Sequence, residues 1–357
     1  MRTRCRTALL ATALAALTGP SLLAQGTDSL RSPMSWQLQW ENDSFALLSG
    51  SDEHYTNGVR INWLRNPLAR ENPRWAAGFA ERWCSRTPLC GIESPPSVVY
   101  GHGVGENFYT PEDISAPQLI VTDRPYAGYF YYSTLLLLRN DTERLPDDWE
   151  KNQPVQNHFE LQLGIVGPEA AGEQLQSWAH EVIDDEQPQG WANQLKLEPT
   201  LQFIYVWRRK QGNTRLDFIP HWGLGLGTVM TYAAAGGTVR LGRNLSDFPE
   251  MVIMPTVSPP ALNVARTEYY LFLGAEGRGV VHNIFLDGNV FGGDSHSVDK
   301  ESFVYDLKAG FAFRRKEWRL TYTFTRRSEE FSPNFDDDPH HDYGSISLTR
   351  SIWTPGP

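Results

Sequence analysis

The chain has 357 residues, a formal net charge of −10 and 12 tryptophans, and aromatic residues make up 12% of it. Such an acidic balance argues against a nucleic acid as partner, which needs a basic surface. Beyond the first 24 residues no stretch holds the ~18 consecutive apolar residues of a membrane-spanning helix, so a place in a membrane requires strands.

Arg2, Arg4 and Arg6 precede the apolar run 8–17, and Ser21-Leu22-Leu23-Ala24 follows it. This is the pattern of a secretory signal peptide over residues 1–24, which leaves 25–357 as one β-barrel domain. Cys84 and Cys90 then remain as a close pair in an exported chain, and a disulfide is expected.

Trp36, Leu38 and Trp40 alternate with Gln37, Gln39 and Glu41. After a polar loop, Val59, Ile61 and Trp63 alternate with Arg60 and Asn62. Strict alternation gives a hairpin with one apolar and one polar face. Parity sets Asp43 and Thr56 on the polar face at the same end, and Asn42 would need a bulge to join them. A short helix is expected around 75–83, with strands near 101–109 and 126–139. In the fifth strand Phe159, Leu161 and Leu163 oppose His158, Glu160 and Gln162.

The period then changes. Leu175, Trp178, Ala179, Val182 and Ile183 recur at helical spacing, which predicts a helix over 170–183 that packs on this side. Glu173, Gln176 and His180 share its polar stripe. Strands resume at 195–208, and others follow near 213–229, 232–242, 267–277, 280–290, 302–315, 317–327 and 342–353. The list is odd in number, whereas bacterial single-chain barrels have an even strand count. The division of 213–242 is the expected error. The fold class predicted is all-β, an antiparallel transmembrane β-barrel with a short extracellular helix.

With both termini on the periplasmic side, the first strand runs outward. Asp43, Thr56, Asp123, Arg124, His180 and Glu186 then gather at the outer rim. Asp43 is an oxygen donor suited to calcium, or a turn residue. His180 can act as a general base toward water, or can be a surface histidine. Glu186 can orient the imidazole or add a metal ligand, or belong to the solvated run 184–186. Thr56 can donate to an oxyanion, or cap local backbone. Asp123 and Arg124 read as a structural ion pair, with an Arg124 contact to a lipid phosphate as the functional alternative.

These residues carry a resemblance. Asn42-Asp43, Tyr55-Thr56-x-Gly58, Asp123-Arg124, the segment 165–180 with Glu186 and Trp191 beyond it, and the segment 283–300 are similar to the outer-membrane lipid A 3′-O-deacylase family. The similarity extends over nearly the whole chain after the leader. It implies twelve strands, the Gram-negative outer membrane and a site facing the exterior. It implies calcium-dependent hydrolysis of the acyl ester at the 3′ position of lipid A in lipopolysaccharide; a monomer is expected. Residue by residue, Asn42, Asp43, Thr56, His180 and Glu186 match the family's active-site positions, with His180 activating water and Asp43 holding calcium. One departure stands out: the family's active-site lysine after strand three has no counterpart in 110–121. Either Arg124 supplies the cation or the substrate contact differs. The competing readings are an outer-membrane phospholipase and a non-catalytic porin or adhesin barrel.

Overall fold

A computed structural model describes residues 31–46, 57–65, 72–90, 96–140, 153–184, 186–245, 248, 267–291, 293, 295–332 and 340–355. The expected signal peptide, Thr56 and most of the Pro-containing loop near 243–264 lie outside them.

Twelve long strands run antiparallel and each pairs with its neighbour in sequence. They are β1 (Arg31–Asn42), β2 (Asn57–Arg65), β3 (Ser97–Tyr109), β4 (Ala127–Asn140), β5 (Val155–Val166) and β6 (Glu198–Arg209). Then follow β7 (Leu216–Gly227), β8 (Met230–Arg243), β9 (Glu268–Asn283), β10 (Phe303–Arg315), β11 (Trp318–Arg327) and β12 (His341–Pro355). Pairing of β12 with β1, from Arg31↔Pro355 to Asn42↔Gly344, closes the ring. The shortest strand has 9 residues, enough to cross a bilayer when tilted. Three helices are described: α1 (Arg74–Arg86), α2 (Gly172–Ile183) and the single turn α3 (Ile284–Asp287). Among the described residues no helix is long and apolar enough to cross a membrane.

Alternation decides the faces. On β1, Ser35, Gln37 and Gln39 are buried inside, and Trp40 is exposed on the outer wall. The outer wall elsewhere shows Leu271, Leu273, Val281 and Phe303, each more than 60% exposed, which suits lipid rather than water. The lumen is polar and bridged. Arg60 on β2 reaches Glu160 on β5 at 2.9 Å, Arg240 meets Asp217 at 2.7 Å, and Arg278 meets Asp306 at 2.7 Å. Buried charges persist only when paired in this way.

The odd strand count has a different cause from the one expected. Residues 213–242 are indeed two strands, β7 and β8. Instead 267–277 and 280–290 are not separate strands: β9 is one strand as far as Asn283, with a bulge between Val280 and His282. Gly277-Arg278-Gly279 reads as a turn in sequence. In the barrel Arg278 points inward to Asp306, and the glycines alternate with it.

At the rim opposite the candidate site, α1 confirms the helix expected near 75–83. Cys84 and Cys90 are joined by the expected disulfide, with Cα atoms 5.3 Å apart.

Candidate active site at one rim of the barrel

Odd strands end and even strands begin at one rim, and every candidate residue among those described lies at that rim. Asn42 closes β1, Asp43 opens a 3-10 turn (Asp43–Phe45), Asp123 and Arg124 precede β4, and His180 and Glu186 lie between β5 and β6. The strand order thus brings Asn42, Asp43, Asp123, Arg124, His180 and Glu186 to the rim expected from parity.

Parity did not find the wall that α2 covers. Gly128 lies on the same face of β4 as Phe130 and Tyr132, which are exposed on the outer wall. A Cβ at Gly128 would stand 3.1 Å from the backbone nitrogen of Gly172 and 3.2 Å from the Ala170 side chain. Two glycines thus let the start of α2 lie directly on the outside of the barrel. The segment is held there by Gly167 N–H donating to the Gly128 carbonyl (3.0 Å) and Leu195 N–H donating to the Tyr126 carbonyl (2.9 Å). Gly167 has φ 115°, a conformation that only glycine adopts freely.

This inverts the expected helix face. Trp178 and Leu175, expected to pack, are 61% and 40% exposed, and Gln176 and His180 of the polar stripe are buried. Glu173 of the same stripe is exposed. The helix turns Leu175 and Trp178 outward and Gln176 and His180 inward, so the usual sorting of apolar side chains to the inside is reversed.

Strand register links the rim to this helix. Asn42 pairs with Asn57, Asn57 with Phe108, and Phe108 with Gly128, and Asn42, Phe108 and Gly128 have outward parity. Phe108 packs with Tyr126 and Trp191, and the Trp191 indole donates to Gln176 Oε1 at 2.8 Å. Gln176 lies one turn before His180 on α2. The row of outward positions that begins at Asn42 therefore leads to the buried stripe of α2. Asn42 needs no bulge, because β1 is regular to its end and the outward parity of Asn42 is the side on which α2 lies. Asp43 is buried, and its carbonyl accepts from Ala46 N–H at 2.8 Å. Being in the 3-10 turn, its side chain no longer follows strand alternation.

His180 donates from Nδ1 to the backbone carbonyl of Glu186. A carbonyl can only accept, so Nδ1 carries a proton, and in the neutral imidazole Nε2 is the acceptor. The Glu186 side chain is exposed, and its contact with the imidazole comes from the main chain.

Asp123 and Arg124 do not pair with each other through their side chains. Asp123 accepts from its neighbour's backbone N–H (Arg124, 2.6 Å) and from Glu112 N–H (2.7 Å), closing the turn that shapes the loop. Arg124 instead reaches Glu330 at 3.0 Å, with Phe331's ring beneath its guanidinium. Both partners are nearly inaccessible. Burial acts to raise the Glu330 carboxyl, but Arg327 and Arg124 outweigh it and hold the carboxyl at about 2. Burial pushes the Tyr126 phenol up to about 12, so it stays protonated and donates to the Ile114 carbonyl.

Other ties join the rim loops. His296 Nε2 bonds the Asp123 carbonyl at 2.8 Å, and Asn289 exchanges two bonds with the Lys196 backbone. α3 inserts Ile284 and Phe285 into the mouth of the barrel against Ala127, Tyr129 and Tyr131. Phe285 stacks on Tyr109 with ring centroids 3.9 Å apart. Glu330, His296 and Asn289 were not found from the sequence: they lie in charged or Gly-rich loops without period, and only the folded rim brings them to their partners. Among the described residues no group of three or more His, Cys, Asp and Glu side chains is placed to hold a metal ion.

Comparisons with known proteins agree with this architecture. The family model described as "Outer membrane protein LpxR" matches residues 9–352. The solved structure of LpxR from Salmonella typhimurium superposes with a TM-score of 0.65 at 17% identity, covering 88% of this chain and 99% of that one. The translocator domain of the autotransporter NalP from Neisseria meningitidis gives a TM-score of 0.40 at 9% identity, covering 98% of this chain and 96% of that one. No curated protein matches the chain.

Proposed function

The chain belongs to the LpxR family of outer membrane proteins, and from that premise we propose that it is a lipid A deacylase of the Gram-negative outer membrane. The bond cleaved is an acyl ester at the 3′ position, and the site faces the exterior, where lipopolysaccharide forms the outer leaflet.

The observation that carries this reading is the buried His180, held through Nδ1 by the Glu186 carbonyl, on the side of α2 turned toward the outer wall. A site between α2 and the outer wall would be reached by a lipid lying in the membrane more directly than a site in the lumen. His180 Nε2 takes the proton of the attacking water. Asn42, whose side-chain amide can donate, assists at the oxyanion. Thr56 keeps the same assisting role by its family position. Glu186 serves through its carbonyl, which fixes the imidazole.

Calcium is assigned to Asp43. A buried carboxylate beside the neutral amide of Asn42 suits a hard cation. When bound, the ion would polarise the ester carbonyl. Arg124 is engaged by Glu330, so its contribution to substrate is indirect: it holds two rim loops together. The missing lysine is therefore read as a different contact to the substrate rather than as a replacement by Arg124.

The stoppered mouth, with Phe285 wedged against Tyr109, Tyr129 and Tyr131, favours an enzyme over a porin, which needs an open lumen. Mass spectrometry of lipid A from cells expressing the protein tests the proposal. Loss of one 3′ acyl chain is expected. Release of fatty acid from phospholipid with lipid A untouched would make it a phospholipase, and neither release together with channel conductance would make it a porin.

A further inference from the structure

We propose that α1 is an interfacial helix that recognises anionic phospholipid headgroups in the leaflet opposite the active-site rim. The helix lies on the outer wall. Ala76 and Ala80 are buried against Val98, Leu136, Leu138, Phe159 and Tyr205, outward positions of β3 to β6. It covers the wall where the exposed apolar belt ends: along one face of β5, Phe159 is 7% exposed, Leu161 43% and Leu163 54%. α1 therefore marks the boundary between hydrocarbon and water at that rim.

Its side chains fit this depth. At about 100° per residue, Trp75, Phe79, Arg82 and Arg86 fall on one flank, and Glu81 lies more than about 90° away from them. Trp75 and Phe79 are exposed, as are Arg82 and Arg86. An aromatic flank interleaved with arginines is what a helix shows when it beds at headgroup level, with rings in the interface and guanidiniums reaching phosphate. The carrier is rigid. Thr87 Oγ1 donates to the Trp83 carbonyl at 3.0 Å, and the indole of Trp207 donates to the Leu89 carbonyl at 3.0 Å. The disulfide Cys84–Cys90 closes the turn between them. The flank is thus presented at a fixed depth rather than on a loose arm.

The test uses the full chain folded into vesicles of phosphatidylethanolamine and phosphatidylglycerol, with nitroxide labels at Phe79→Cys and, separately, Glu81→Cys. A shift in gel mobility on heating verifies each barrel, and Trp75→Cys replaces Phe79→Cys if the latter fails to fold. The label at position 79 is expected to be more accessible to oxygen than to a water-soluble nickel chelate, and the label at 81 the reverse. Replacing phosphatidylglycerol by phosphatidylcholine should move the label at 79 toward water. Arg82→Gln with Arg86→Gln should abolish that difference, with a loss of about 5-fold in preference for the anionic lipid per arginine. Equal nickel access at both positions would put the helix in water and overturn the proposal. Protection of both labels from both reagents would mean that a protein covers the helix, and would overturn it too. A depth indifferent to phosphatidylglycerol would remove headgroup recognition.

Discussion

His180 and the backbone carbonyl of Glu186, six residues apart across the end of α2, form a hydrogen bond that fixes which imidazole nitrogen is free. The two positions should therefore respond differently to substitution. His180→Gln removes the base and is expected to lower the rate of lipid A hydrolysis by roughly 10²-fold or more, with the barrel still folded. Glu186→Gln keeps the carbonyl and should retain activity within a few-fold. Steady-state kinetics on both variants checks this, and a His180→Gln enzyme near the wild-type rate would require another base.

Asp43→Ala is expected to abolish calcium-dependent turnover while leaving heat-modifiable mobility on gels unchanged. Asp43 is a buried carboxylate next to Asn42 in the chain. Activity of the unaltered protein that survives a chelator would remove the metal from the mechanism.

The tie between Arg124 and Glu330 predicts a pH dependence of rim order. The Glu330 carboxyl sits at about 2 in the fold against an ordinary value of 4.5. A depressed carboxyl stabilises the fold fully above the unfolded value, and the contribution is lost as pH falls through the folded one. Limited proteolysis of the rim loops should accordingly stay slow above about pH 4.5 and quicken toward pH 2. Glu330→Gln should be cut faster than wild type at neutral pH and show no such step. Indistinguishable proteolysis of the two at pH 7 would count against the tie.

Cys84→Ser with Cys90→Ser should weaken the fold by about 2 kcal/mol, the scale for a loop this short, and spare hydrolysis, because α1 lies at the opposite rim. Denaturant titration against an activity assay separates the two effects. A parallel loss of rate would mean that the far rim reaches the site.

Much of the barrel was legible in the sequence because alternation has a period of exactly two and lipid on one side enforces it. Trp36, Leu38 and Trp40 against Gln37 and Gln39 give the first wall outright. Two features misled. Gly277 and Gly279 interrupt the apolar outer face and imitate a turn, although the strand runs on through them while Arg278 between them points into the lumen. The helix α2 obeys the opposite sorting rule from a soluble helix, so Leu175 and Trp178 pointed to the wrong face. Topology still delivered His180 and Asp43 to one rim. Whether they faced the lumen or the outer wall depended on Gly128 and Gly172 approaching each other, which no one-dimensional pattern encodes.

The seam between β1 and β12 joins the two ends of the described chain, and Asn42 is its last rung, opposite Gly344. Without β12, β1 would have a bare edge and Asn42 one neighbour strand instead of two. A bare edge is a row of backbone donors and acceptors that lipid cannot satisfy, so closure of the ring removes the last exposed backbone beside Asn42.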